Sequence, residues 1–272
     1  MCFGRISAAR TSIRPSLSTR GGSGALALGL ADPKPAAEHK PVSERRRWTD
    51  LRTRFLSASV LGPLALLCLW LGNPAWLLLV TIGAIGVAFE WVQLCVAATP
   101  RLRMSRVLLT LAGIAYVGLT SLALVWLRAD SLAGRLNALF LVLVVWATDS
   151  GGYVFGRLLG GPRLAPRISP GKTWAGAAGG VLLAILAGLV LGTFGPASDP
   201  GRIAAVAAVL AIIAQAGDLF ESFVKRRFGV KDSSRLIPGH GGLLDRLDGV
   251  LAAAPVAALQ ALVLGPGVLL WQ

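Results

Sequence analysis

Seven stretches of this chain stay apolar for roughly twenty residues at a time, and that limits what it can fold into more than any motif does. An α-helix rises 1.5 Å per residue and a bilayer's hydrocarbon core is about 30 Å thick, so about 20 apolar residues is the length that crosses. Buried strands of a soluble α/β protein are also apolar, but for only about 4 to 8 residues. The runs fall at roughly 55–72, 74–97, 105–127, 136–155, 174–194, 201–220 and 249–270. They predict an all-α, polytopic transmembrane helical bundle of about seven spans, or eight or nine helices if some runs break. The second run could hide a re-entrant turn around 83–86. A composition that is 54% hydrophobic and 15% charged agrees. No internal repeat of the kind found in many transporters is present.

The basic residues sort by loop. Arg101, Arg103 and Arg106 follow the second run, Arg157, Arg163, Arg167 and Lys172 the fourth, and Lys225, Arg226, Arg227, Lys231, Arg235 and Arg246 the sixth. The alternate loops are poor in Lys and Arg. Because basic residues accumulate on the cytoplasmic side, the N-terminus and all three basic loops are expected there, in a cell inner (cytoplasmic) membrane. The formal charge of +14 is then topology plus attraction to anionic lipids and substrates, with no nucleic acid as partner. Residues 1–50 are rich in Arg, Ser, Ala, Gly and Pro, and the first acid is Asp32. They read as a basic, disordered cytoplasmic arm, with an organellar transit peptide as the alternative. Residues 51–272 read as the transmembrane catalytic domain. Cys2, Cys68 and Cys95 imply neither a disulfide framework nor a thiolate metal site, so any metal should be a hard one held by carboxylates.

Between the last two runs lies DLFESFVKRRFGVKDSSRLIPGHGGLLDRLD, residues 218–248. Charge at a membrane boundary costs several kcal/mol unless paired, hydrated or bound to an ion. Asp218, Glu221, Ser222 and Lys225 are spaced i, i+3, i+4 and i+7 on one helical face, although Glu221 and Lys225 alone would make an ordinary i, i+4 pair. Asp245 and Asp248 stand at i, i+3 where the last run begins; a helix N-terminus favours either of them whatever the function. Oxygen ligands from two helices suit Mg²⁺ with a phosphate substrate. The turn Gly239, His240, Gly241, Gly242 could bring amides to phosphate oxygens, with His240 as donor, base or plain loop residue.

Two upstream segments fit. In WATDSGGYVFGR, Asp149 sits inside the fourth run and is a functional candidate by default. In RISPGKTWAG, the string Gly171, Lys172, Thr173 imitates a Walker A ending, but Pro166 stands where the first glycine belongs and no strand is predicted before it. Ser169, Lys172 and Thr173 remain phosphate contacts or, alternatively, a helix cap and anchor.

The residues from Ser222 to Asp248, with Lys225, Arg226, Lys231, Asp232, Pro238, His240, Gly241, Gly242, Asp245 and Arg246 between them, resemble the signature of the phosphatidate cytidylyltransferases, or CDP-diacylglycerol synthases. The two upstream segments occur in that family's order, and the resemblance covers roughly residues 52–271. It implies an integral membrane nucleotidyltransferase that joins CTP to phosphatidic acid for phospholipid biosynthesis. It further implies Mg²⁺, with or without K⁺ beside it, and a homodimer with a polar cavity. The catalytic residues expected are Asp218, Asp245, Lys225, His240 and Asp149. Ser169, Lys172, Thr173, Ser222, Arg226, Lys231, Gly241, Gly242 and Arg246 are expected against the substrates. Asp218, Asp245 and Asp248 are expected at the metal. A related lipid or polyprenol transferase, or an ion transporter, are the competing readings.

Overall fold

The computed structural model describes residues 59–97, 103–129, 131–195, 199–230, 233–234, 242–265 and 267–272. All of them fall within one compact unit, Ser43–Gln272. The expected arm, residues 1–50, lies outside the described residues. Among the described residues, a short apolar helix, α1 (Ser59–Leu71), leads into six helices long and apolar enough to cross a membrane. These are α2 (Asn73–Ala97), α3 (Arg103–Leu127), α4 (Leu132–Leu158), α5 (Trp174–Gly192), α6 (Pro200–Arg227) and α7 (Leu244–Leu264). All seven runs are therefore helical, but the described part of the first is too short to cross. The helix α2 passes unbroken through residues 83–86, so no re-entrant turn exists there. Large apolar side chains point outward, among them Val263 at 80%, Leu122 at 67% and Ile85 at 65% exposure, as helices facing lipid would.

One element departs from an all-α chain. Between α4 and α5, strands β1 (Arg163–Ala165) and β2 (Ser169–Thr173) form an antiparallel two-stranded hairpin, pairing Arg163 with Thr173 and Ala165 with Ser169. Its prolines and glycines give no alternating pattern, so the sequence shows only an irregular link. Lys172 and Thr173 therefore end a strand and do not wrap a phosphate loop. Thr173 then caps α5, its Oγ1 accepting from the Gly176 amide at 3.1 Å.

Close packing follows from small residues. An added Cβ would stand 2.6 Å from the Gly179 carbonyl oxygen at Gly151, 2.7 Å from the Gly152 oxygen at Gly176, and 2.7 Å from the Thr148 oxygen at Gly180. Glycines on α4 and α5 thus bring the two backbones into contact, the arrangement that apolar solvent favours. The main core spans α4 to α7 around Phe140, Leu141, Leu210 and Ala254, all 0% exposed. A second cluster joins α2, α3 and α7 through Val87, Leu94, Val117, Leu244 and Leu251.

Polar side chains repair the backbone where helices break. Pro255 inside α7 has no N–H to give Leu251, and the Thr120 hydroxyl on α3 donates to that carbonyl instead at 3.0 Å. At the α1–α2 turn, where Gly72 has φ of 131°, the buried Arg128 donates to the Leu69 carbonyl at 2.9 Å and to Asn73 Oδ1 at 3.3 Å. Gly265, at φ 103°, ends α7 earlier than residue 270, and the tail folds back with Trp271 against Phe140, ring centroids 4.6 Å apart.

Candidate active site

The C-terminal ends of α4 and α6 meet the hairpin and the first turns of α5 and α7 at one end of the bundle. They enclose a cavity of about 390 Å³. Asp149 comes from α4, Lys172 and Thr173 from β2, Gln215, Asp218 and Lys225 from α6, and Asp245, Arg246 and Asp248 from α7. Asp149 and Asp218, 69 positions apart in sequence, both line this cavity.

Pairing makes such a density of charge tolerable. Lys172 Nζ lies 2.5 Å from Asp218 Oδ2, bridging the hairpin to α6. Lys225 Nζ lies 2.7 Å from Asp245 Oδ1 and 3.3 Å from Glu221 Oε1, bridging α6 to α7. Asp245 Oδ2 accepts the amides of Ser233 and Gly242, each at 3.2 Å. Both Asp245 oxygens are thus engaged in holding Lys225 and the chain around it. Asp248 Oδ1 accepts from its neighbour's amide, Gly249 N, at 2.7 Å.

Several expected contacts sit beside the cavity. The Ser222 hydroxyl donates to Asp218 Oδ1 at 3.5 Å, one turn along α6. The exposed Arg226 ties α6 to the hairpin through the Ile168 carbonyl at 3.4 Å, and Ser169 pairs with Ala165 in the sheet; neither lines the cavity. Lys231, His240 and Gly241 lie outside the described residues, whereas Gly242 lies within them.

Among the described residues, no three His, Cys, Asp or Glu side chains form a ready metal cluster. Mg²⁺ does not need one, since it uses one or two carboxylates and completes its shell with water and phosphate. Asp149, Asp218 and Asp248, which line the cavity from three helices, offer hard oxygen donors of the kind that requirement calls for, one or two at a time.

A second cavity, about 540 Å³, opens between α2, α3, α6 and α7. Its lining is apolar, with Trp91, Leu109, Ile213, Phe220 and Leu251, but Asp248 belongs to both cavities. Sequence reasoning did not anticipate this cavity, Gln215 or Glu90. Glu90 is a lone acid within the apolar α2, fully buried, and accepts four hydrogen bonds from residues 233, 234, 243 and 244. Its place in an apolar run was the signal that could have found it.

Residues 96–264 match the model of the cytidylyltransferase family. The chain is 38% identical to the phosphatidate cytidylyltransferase of Brucella suis, the match covering 78% of this chain and 93% of that one. It is 38% identical to the Staphylococcus epidermidis enzyme of the same name, over 75% of this chain and 79% of the relative. For the Rickettsia felis phosphatidate cytidylyltransferase the identity is 35%, over 76% and 90%. The matched region contains every wall of the charged cavity, and on this agreement the chain belongs to the cytidylyltransferase family.

Proposed function

We propose that this chain transfers the cytidylyl group of CTP to phosphatidate, forming CDP-diacylglycerol and pyrophosphate at the cytoplasmic face of an inner membrane. One observation carries the reading: a cavity lined by paired carboxylates and cations meets an apolar cavity at Asp248. CTP arrives from water and the diacyl chains stay in lipid, so the reaction needs a polar and an apolar compartment side by side.

Electrostatics sets the main problem. Two like charges 4 Å apart repel by about 4 kcal/mol at an effective dielectric near 20, and a triphosphate facing a phosphate monoester makes several such pairs. Lys172, Lys225 and Arg246 supply compensating charge on three elements. Phosphates entering the cavity would compete with Asp218 for Lys172, drawing the hairpin onto the substrate. A phosphatidate oxygen then attacks the α-phosphorus of CTP. The new P–O bond forms as the bond from that phosphorus to the bridging oxygen breaks, and pyrophosphate leaves with the electron pair. A phosphate nucleophile is already ionised near neutral pH, so no general base is required.

Asp218 and Asp248 would hold Mg²⁺, with Asp149 beside them, and Asp245 would keep Lys225 in place. When bound, the ion would neutralise triphosphate charge and favour pyrophosphate departure. K⁺ is a further candidate at the same carboxylates, and a homodimer is part of the proposal, tested by light scattering of the detergent-solubilised protein.

The reaction is tested with CTP labelled at the α- or the γ-phosphate, phosphatidate in mixed micelles, and Mg²⁺ present or chelated. Label from the α-phosphate in the lipid and from the γ-phosphate in pyrophosphate is expected, only with Mg²⁺. Transfer to another lipid acceptor but not to phosphatidate would replace this substrate with that of a related transferase.

A further inference from the structure

We infer that Glu90 is a positioning residue for the reaction, the clamp that fixes where α7 begins and so where Asp245, Arg246 and Asp248 enter the cavity. The inference rests on the cytidylyl-transfer reading for its kinetic consequence. Glu90 does not line the cavity, so it acts through the chain it holds.

The geometry is specific. A carboxylate offers about four lone-pair sites, and four donors fill them here. Ser234 Oγ at 2.6 Å and the Leu243 amide at 2.8 Å donate to Oε1; Ser233 Oγ at 3.0 Å and the Leu244 amide at 2.8 Å donate to Oε2. Each oxygen therefore ties a serine on one side of the segment to a helix-start amide on the other. Leu243 stands at the N-cap of α7 and has no side-chain cap bond of its own. Glu90, from a helix about 150 residues away in sequence, accepts the amides of the N-cap residue and of the first helical residue, two donors that a helix start leaves without an intrahelical partner.

Asp245 completes the clamp from the other side, accepting the amides of Ser233 and Gly242 while holding Lys225. Room at the junction is closed: a Cβ on Gly242 would stand 1.7 Å from Ser233 Oγ and 2.6 Å from Glu90 Oε2. An uncompensated acid in an apolar helix is costly, so these bonds also explain why Glu90 can be buried at all.

Glu90→Gln keeps the shape but replaces one acceptor oxygen with an NH₂ that faces an amide and a hydroxyl already donating. The full chain in detergent is compared with wild type by steady-state kinetics, thermal unfolding and backbone hydrogen exchange. We expect kcat to fall at least about tenfold, with KM for CTP within about threefold and a melting temperature lowered by several degrees but still well above that of the assay. Exchange should accelerate at Ser233, Ser234 and residues 242–245 and not in α4 or α5. Ser233→Ala should lower kcat less, and adding it to Glu90→Gln should lower kcat no further, because both act through one clamp. If Glu90→Gln fails to fold, Ser233→Ala with Ser234→Ala decides the matter, with a kcat roughly three- to tenfold below wild type at unchanged stability. Near-wild-type kcat and exchange in the folded variants, additive losses, or loss of activity that only tracks loss of folded protein would each overturn the assignment. Should wild type itself transfer no label, the reaction reading fails, and exchange at Ser233, Ser234 and residues 242–245 still decides whether Glu90 is the clamp.

Discussion

Lys172 ends a strand, adjoins a helix cap and reaches Asp218, so its replacement separates anchoring from phosphate binding. Thr173, not Lys172, caps α5, and Lys172→Ala should leave membrane insertion unchanged. One charge-assisted contact is worth about 1.5–3 kcal/mol, so kcat/KM for CTP should fall roughly 10- to 100-fold, checked by initial rates against nucleotide concentration. Asp248→Asn is expected to raise the Mg²⁺ concentration for half-maximal activity at least about tenfold, read from a metal titration at saturating substrates. An unchanged midpoint would remove Asp248 from the metal. The charged residues of the cavity were legible as single letters because an acid or base at a bilayer boundary has few reasons to be there. Their partnerships were not. Spacing grouped Glu221 with Lys225, but Asp245, twenty positions on, makes the closer contact with that lysine. Glu90 escaped notice because its partners lie near residue 240, a relation no local pattern contains.

Helix boundaries came through to within a few residues in the middle of the chain, since apolar length is the very property a span requires. The last helix was placed too late because Asp245 and Asp248 interrupt the apolar run, yet both belong to its first two turns. The hairpin was invisible for the opposite reason: residues 163–173 are stabilised by their own backbone pairing and by the helices they join, not by a hydrophobic period. Glycines separate two functions at this scale. Gly151→Ala would drive a Cβ into the Gly179 carbonyl at 2.6 Å and should cost about 1–3 kcal/mol or loosen the α4–α5 contact that positions Asp149. Gly83→Ala, with nothing within 4 Å of the added carbon, should be neutral or stabilising by up to about 1 kcal/mol. Thermal unfolding of both variants in the same detergent checks the contrast; equal melting points would contradict the packing described.

Across the whole molecule, the charged cavity with Lys172, Lys225 and Arg246 occupies the end where α4 and α6 finish and α7 starts, while the Arg128 contacts and the folded-back tail occupy the ends where α4 and α6 begin and α7 stops. The proposed cytoplasmic placement of the cavity rests on the positive-inside pattern of the sequence. A single cysteine at Gly160, in a background lacking the native cysteines, should react with an impermeant maleimide in inside-out vesicles, whereas one replacing Gln272 should react only in right-side-out spheroplasts. The reverse labelling would invert the topology and place the site where CTP is absent.

The central claim is that cytidylyl transfer occurs in the cavity holding Asp218. Its most direct measurement compares purified wild type with Asp218→Asn, matched for folded protein, for incorporation of α-phosphate label from CTP into phosphatidate with Mg²⁺ present. The account predicts labelled CDP-diacylglycerol from wild type and at least about a hundredfold less from the variant, a loss of about 2.7 kcal/mol or more in transition-state stabilisation. Equal incorporation by the two proteins would contradict it.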